Sequence, residues 1–295
     1  MITIAVSGML LATNKNTLRK FHVDSTLTKE ANEVVFKLSD LCSLSVVTER
    51  ETPLPSASLP SLTSLTITCD SEGDWPQLFH GATFGKLESV TFFPQSEGIG
   101  DFLETFERAA LSSVQKTLSK FHVSASCSWN PNYSSLLSFT QLVDLEIEFS
   151  CDDGCSSRVD DDMITDLSRA MPKLQALKLG DLPCEESTAG VTAKGLVALA
   201  LHCPGLQHLR IHFQVASLIG PPASPGIGPN TEPADSWTDC ALTDLSIGEM
   251  PVSEESALMV ARTLLRIFPQ IMYISSVDEG WEKVGDAIRD LRLPK

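Results

Sequence analysis

A short apolar pattern recurs ten times along the chain and constrains its fold more than any other feature. The pattern is an apolar residue, two variable residues, a second apolar residue, one variable residue and a third apolar residue. Its copies begin at Leu18, Leu41, Leu62, Leu87, Leu118, Leu142, Leu174, Leu206, Leu242 and, in a degenerate form, Ile271. Successive copies begin 21 to 36 residues apart, which indicates a series of irregular repeats.

Each copy predicts a β-strand, because its fourth and sixth positions alternate with polar residues. Between the copies, apolar residues recur at helical spacing in the segments 101–110, 161–171, 192–203, 254–268 and 279–291. Strands joined by helices at this spacing run parallel, and such crossovers are right-handed. The sequence therefore predicts an α/β fold: a right-handed solenoid of about ten repeats, with a parallel sheet on its concave face and helices on its convex face.

Two repeats resemble those of a known family. The segment 191–213, VTAKGLVALALHCPGLQHLRIHF, has the Thr, Gly-Leu, Leu-Ala, Cys-Pro and Leu-x-Leu positions of a cysteine-containing leucine-rich repeat. The segment 163–184 is similar, with Met171 where the family often has cysteine. The chain thus resembles F-box/leucine-rich-repeat proteins, most of all fungal members. The resemblance implies a leucine-rich-repeat solenoid that recruits substrates to a ubiquitin ligase, in which an F-box binds the adaptor of the cullin.

The domain organisation follows from the repeats. Residues 1–17 are a cap or a remnant of a preceding repeat, 18–291 form the solenoid, 219–239 are a proline-rich loop insertion and 292–295 are a tail. No F-box motif precedes the first repeat, so we expect binding to the ligase adaptor only if an F-box lies outside this chain. The alternative is a stand-alone structural scaffold or a secreted recognition protein with no link to ubiquitin.

Charge and cysteine usage restrict the partners and the compartment. The formal net charge is −16, which disfavours nucleic acid and anionic membranes as partners. No run of apolar residues is long enough to span a membrane. The eight cysteines are scattered, and the apolar N-terminal segment lacks the basic region that begins a secretory signal peptide. Both features favour reduced thiols in the cytoplasm or nucleus. We expect a monomer.

Two segments raise the question of metal binding. In HCPGLQHLRIH, residues 202–212, His208 and His212 would lie one turn apart on a helix and could share a zinc ion. On the predicted strand they would lie about 13 Å apart, too far for one ion. CDDGC, residues 151–155, lacks a second cysteine pair, and we expect the aspartates at 160–162 to cap the next helix. We therefore predict no metal and no cofactor and, without a catalytic motif, no enzymatic activity.

The outward positions of the predicted strands form the remaining candidate site. The central position reads His22, Ser45, Thr66, Thr91, His122, Glu146, Lys178, Arg210 and Ser246. Its first members are small and hydroxylated, whereas the later ones are charged. A parallel sheet displays such residues in a fixed row, which is how solenoids build binding surfaces. We predict that a protein partner binds the concave face at Asp144, Glu146, Lys178, His208, Arg210 and His212.

Overall fold

All ten strands predicted from the recurring pattern are present in the computed structural model. It describes residues 18–27, 29–48, 58–69, 83–94, 114–126, 133–150, 159–180, 190–219, 239–247, 251–276 and 278–293. In every repeat the strand begins two residues after the first apolar residue of the pattern. The fold is therefore α/β, with ten parallel strands connected by crossovers.

The chain divides into two compact units, Met1–Leu142 and Val143–Lys295. The strands of the first unit are β1 (Lys20–Thr26), β2 (Ser43–Thr48), β3 (Ser58–Leu59), β4 (Ser64–Cys69), β5 (Thr83–Phe84), β6 (Ser89–Pro94) and β7 (Lys120–Ser126). The helical segments among its described residues are α1 (Lys29–Val35) and the 3-10 turns Val114–Lys116 and Tyr133–Ser138. Five strands pair in the order β1-β2-β4-β6-β7, and β3 pairs with β5 in a second, two-stranded sheet that the repeat pattern did not predict.

The second unit alternates strands and helices. Its elements in chain order are β8 (Asp144–Ser150), α2 (Asp161–Ala170), β9 (Ala176–Leu179), α3 (Ala193–His202), β10 (His208–Ile211), α4 (Ala216–Ile219), β11 (Asp244–Ser246), α5 (Glu254–Ile267), β12 (Tyr273–Ser275) and α6 (Glu279–Arg292). The strands pair in sequence order and in parallel. Four of the five predicted helices are confirmed as α2, α3, α5 and α6.

Some predicted elements differ from the structure in detail, and others lie outside the described residues. The helix expected over 101–110 lies outside the described residues, as do residues 220–238 of the proline-rich insertion. The short helix α4 lies just before that insertion, ends at its first residue, Ile219, and was not predicted. Helix α6 ends at Arg292, one residue inside the expected tail. Four copies of the pattern have a proline two residues before their first apolar residue, and all four of these prolines lie in turns: Pro60, Pro172, Pro204 and Pro269.

The hydrophobic core contains the apolar residues of the repeat pattern. The fourth-position residues Leu65, Leu145 and Leu177 are fully buried. The burial of each such side chain stabilises the fold by about 1.5–3 kcal/mol. In the first and last repeats, Phe21 and Ile274 are only half-buried. Their strands have a paired neighbour on one side only within the described residues, so the core is covered less completely there.

Local sequence signals fix the ends of the helices. Asp160 is the N-cap of α2, and its Oδ1 accepts a hydrogen bond of 2.9 Å from the backbone N–H of Met163. Cys203 is the C-cap of α3 and is fully buried. At the start of α6, a Cβ on Gly280 would lie 2.0 Å from the carbonyl oxygen of Val252, so only glycine permits this close approach.

Candidate functional site

The register of the second unit places its outward side chains in two parallel rows. The first row is Asp144, Ala176, His208, Asp244 and Tyr273. The central row is Glu146, Lys178, Arg210, Ser246 and Ser275. The rows alternate with buried leucines and isoleucines, because successive side chains of a strand point to opposite faces. The predicted central row is therefore confirmed in this unit and extended by one strand.

A depression of ≈ 460 Å³ lies over strands β9 to β12. Its polar lining comes from both rows: Lys178, His208, Arg210, Asp244, Ser246, Tyr273 and Ser275. Side-chain size explains its position, since the central row changes from a long lysine and arginine to two serines. The depression is therefore a feature of the strand faces themselves.

Glu146 and Lys178 form an ion pair across β8 and β9. Nζ of Lys178 donates a hydrogen bond of 2.5 Å to Oε1 of Glu146. The glutamate side chain is 16% exposed and the lysine side chain 40%. A pair this accessible contributes at most about 1 kcal/mol to stability. The pair directs the ammonium group of Lys178 towards β8, on the side of β9 opposite to Arg210.

A second pair connects β10 and β11. Nδ1 of His208 lies 3.1 Å from Oδ2 of Asp244, which also accepts a hydrogen bond of 2.8 Å from the hydroxyl of Thr243. Both side chains are about half exposed. Glu146 thus contacts Lys178, and Asp244 contacts His208, so each of these two carboxylates has a basic side chain of a neighbouring strand beside it.

The structure brings half of the predicted site residues together. Lys178, His208 and Arg210 line the depression. The lining, as far as the structure describes the chain, does not include Asp144, Glu146 or His212. Glu146 is connected to it through Lys178, whereas Asp144 lies two strands from His208 in the first row and His212 follows the end of β10.

Four polar lining residues were not among the predicted contacts: Asp244, Ser246, Tyr273 and Ser275. All four occupy the third or fifth position of the last two copies of the pattern. The repeat period itself could have identified them. Tyr273 was missed because its copy is degenerate and because its strand contributes no charged side chain.

The first unit presents a different surface. Its described strands carry Ser45, Thr66 and Thr91 in register at the central position. At one side of this row, the rings of Phe93 and His122 pack edge to face with centroids 5.6 Å apart. The middle of this row is hydroxylated, as predicted, and therefore offers less electrostatic selectivity than the second unit. At its edge on β1, Nε2 of His22 lies 2.7 Å from Oδ1 of Asp24.

The histidine-rich segment has the strand geometry that we predicted for it. His202 lies in the last turn of α3, His208 begins β10 and His212 follows that strand. Leu209 and Ile211 between them are buried. The helical arrangement that would place His208 and His212 one turn apart is therefore wrong.

Cys203, the cysteine of this segment, belongs to the core. Its Sγ lies within hydrogen-bonding distance of the carbonyl oxygens of Ser168 and Met171, at 3.6 and 3.5 Å. Burial, assisted by the neighbouring Cys240, raises the pKa of its thiol to about 12. A thiol in this state is a poor nucleophile and a poor metal ligand at neutral pH.

The aspartates at 160–162 have three separate roles. Asp160 caps α2, as predicted. Asp161 reaches the start of the next helix: it accepts hydrogen bonds from the N–H and hydroxyl of Thr192 and from the N–H of Gly195, at 2.7 to 2.9 Å. Asp162 is exposed and lies 3.2 Å from Nζ of Lys194. The CDDGC segment that precedes them lies outside the described residues.

No protein-family model matches the sequence, and a search of curated proteins gives no significant match. Among the described helices, none combines the length and the apolar character that crossing a membrane requires.

Proposed function

We propose that this protein is a non-enzymatic leucine-rich-repeat solenoid that binds a protein partner through the outward face of strands β8 to β12. The observation that carries the proposal is the depression beside Lys178 and Arg210 on a face whose side chains stand in register. Tyr273, at the other end of the same face, is 65% exposed. Arginine and tyrosine are enriched among the residues that dominate the energy of protein interfaces.

The charge pattern of this face supports binding to a specific protein partner rather than non-specific binding. The chain as a whole is strongly acidic, yet two cationic side chains lie side by side at the centre of this surface. Glu146 and Asp244 flank them. A surface with alternating charges orients a complementary partner and repels partners with the wrong charge pattern.

The resemblance to F-box/leucine-rich-repeat proteins supports a narrower proposal for the partner. In that family the repeats recruit substrates for ubiquitination, so we propose that the face of β8 to β12 binds a ubiquitination substrate. Binding to the cullin adaptor would require an F-box outside this chain. The free thiols of Cys42, Cys203 and Cys240 support a location in the cytoplasm or nucleus, where thiols stay reduced.

Site-specific photocrosslinking in the native cells tests the binding face. A benzoylphenylalanine at position 273 should give discrete crosslinked adducts that mass spectrometry identifies. The matched control carries the same photoreactive group at Met259, which is 49% exposed on helix α5 and does not line the depression. The double variant Lys178→Ala/Arg210→Ala should lose most of the adducts formed at position 273 while its melting temperature changes little, because both side chains lie on the outward face.

The same adducts test the narrower proposal. If the protein crosslinked at position 273 is a ubiquitination substrate, it should carry ubiquitin chains, and the amount of these chains should decrease in cells that express the double variant. The cullin adaptor should also co-precipitate with the protein from its own cells. Adducts that are identical at positions 273 and 259, or that persist in the double variant, would refute binding through this face. A crosslinked partner without ubiquitin and without the adaptor would instead support a scaffold.

A further inference from the structure

Strand β12 ends the sheet with an open edge, because among the described residues it pairs with β11 only. On the side of β11, the N–H of Tyr273 donates to the carbonyl oxygen of Thr243 at 2.9 Å. The carbonyl oxygen of Ser275 accepts from the N–H of Ile247 at 2.8 Å. Consecutive residues of a strand direct their backbone groups to opposite sides, so the N–H and the carbonyl oxygen of Ile274 point away from β11.

The side chains along this edge are exposed and uncharged. Residues 271–276 read IMYISS, without a charged side chain. Met272 and Tyr273 are more than half exposed. Ile274 occupies the inward position that is fully buried in the internal repeats, yet it is only half-buried. The edge of β12 therefore combines apolar surface with one backbone donor and one backbone acceptor.

The end of helix α6 adds to this apolar surface. Arg292 donates a hydrogen bond to the carbonyl oxygen of Pro269, in the turn that precedes β12. This contact brings the end of α6 beside the start of β12. Leu291 and Leu293, on either side of Arg292 in the sequence, are both exposed.

Strand β1, at the other end of the strand order, has the features that protect an open edge. It carries the charged Lys20, and the side chains of His22 and Asp24 are in contact on it. Its register with β2 shifts between His22 and Thr26. Charges and bulges keep edge strands from pairing with other chains. The three residues of β12 have no charge and pair with β11 in a continuous register.

We infer that β12 pairs with β12 of a second copy of this chain, antiparallel and about a twofold axis at Ile274. The N–H of each Ile274 then donates to the carbonyl oxygen of the other, because two opposite residues of an antiparallel pair can exchange both bonds. Tyr273 lies opposite Ser275 of the second copy, so that a large ring meets a small side chain. The two half-buried isoleucines cover each other.

The charge of the chain supports a contact at this edge. Two copies with a formal charge of −16 each repel one another, so they associate best through a surface without acidic side chains. Head-to-tail pairing with β1 would instead bring β12 against Lys20, Asp24 and the shifted register. The twofold pair satisfies the donor and the acceptor of Ile274 reciprocally and closes the assembly as a dimer.

This inference goes beyond the proposed function and does not depend on it. It differs from the monomer expected from the sequence, because the degenerate last copy of the pattern does not show that its strand has an exposed, neutral edge. In the dimer, the two sheets continue into each other across β12. The outward faces of both copies would then lie side by side.

Sedimentation velocity of the full chain over a range of concentrations tests the inference. One short strand and one helix end make an interface at or below the lower limit of the about 1,200–2,000 Å² typical of stable complexes. We therefore expect a dimer that dissociates on dilution, with a dissociation constant in the micromolar range. Hydrogen exchange in residues 271–276 should be slower in concentrated than in dilute protein, because the N–H of Ile274 is bonded only in the dimer.

Three variants assign the dimer to this edge. Ser275→Asp places two carboxylates near the twofold axis and should weaken the dimer by about tenfold or more. The double variant Tyr273→Lys/Ser275→Asp pairs the new lysine of each copy with the new aspartate of the other and should restore the dimer. Ser45→Asp, at the equivalent position of the internal strand β2, is the matched control and should leave the dimer unchanged. Circular dichroism melting verifies that each variant is folded.

Specific outcomes would overturn the inference. A monomer at every concentration would refute a second copy as the occupant of the edge. Equal effects of Ser275→Asp and Ser45→Asp would place the contact elsewhere, and growth beyond a dimer would indicate head-to-tail pairing. If the double variant stays monomeric, the register about Ile274 is wrong. Each of these results leaves crosslinking of other proteins at position 273, and with it the proposed binding face, to its own test.

Discussion

At the scale of single residues, the buried thiol of Cys203 shows how one side chain connects neighbouring repeats. Its Sγ contacts the carbonyl oxygens of Ser168 and Met171 in the preceding repeat, and its own carbonyl oxygen accepts from Sγ of Cys240, at 3.9 Å, in the following one. Burial raises the pKa of both thiols. The folded state therefore disfavours the thiolate form of each.

This shift predicts a loss of stability at alkaline pH. The folded-state pKa of Cys203, about 12, lies above its ordinary value of 9.0, so the stabilisation is complete below pH 9 and decreases as the pH rises toward 12. Chemical denaturation at pH 7 and pH 10.5 measures it. Cys203→Ala should be less stable than wild type at pH 7, because it leaves a cavity, and the difference should shrink at pH 10.5. A constant difference would contradict the assigned role of the thiol.

At the scale of secondary-structure elements, Asp161 connects two neighbouring helices. It begins α2, yet its carboxylate accepts three hydrogen bonds from Thr192 and Gly195 at the start of α3. A Cβ on Gly195 would lie 2.7 Å from Oδ1 of Asp161, so the glycine makes room for this carboxylate. These contacts fix the spacing of the two helix N-termini.

The adjacent aspartate provides a matched control for this connection. Asp161→Ala leaves the donors of Thr192 and Gly195 without their acceptor and should lower the free energy of unfolding by about 2 kcal/mol. Asp162→Ala removes an exposed carboxylate one residue further on and should cost less than about 1 kcal/mol. Urea denaturation followed by circular dichroism measures both. Equal effects of the two substitutions would show that charge at the helix N-terminus matters, rather than the connection between helices.

At the scale of the whole molecule, the state of the cysteines is evidence about the cellular compartment in which the protein folds. The described residues include three free cysteines, of which Cys203 and Cys240 are buried and Cys42 is partly exposed. Scattered thiols in the core of a repeat protein are typical of a reducing compartment, whereas secreted domains use cysteines as disulfides.

A thiol titration tests this interpretation for the complete chain. Protein prepared without reductant and then denatured should react with close to eight equivalents of a thiol reagent, the number of cysteines in the sequence. In the native state, Cys42 should react before Cys203 and Cys240, because burial protects the latter two. Three or four disulfides in the denatured sample would contradict a cytoplasmic or nuclear location.

The candidate site was predictable from the sequence in part. Lys178, His208 and Arg210 were identified because they are charged and stand at outward positions of clear repeats. Tyr273 and Ser275 were missed because the last copy of the pattern is degenerate. Asp144 and His212 were included on charge alone, since a list of outward residues does not show which neighbours are short enough to leave a depression.

The sequence by itself determined the ten strands, their parallel order and four of the helices. This was possible because the alternation of apolar residues and the length of each crossover are local properties, and each repeat contains them again. Only the tertiary structure decided that Asp161 bonds to the next helix, that Cys203 lies between neighbouring repeats, and that two serines beside Arg210 leave a depression. The hydrogen bonds among these contacts join residues 31 to 37 positions apart. All of these contacts depend on how the side chains of neighbouring repeats pack against one another, which the pattern of apolar residues does not encode.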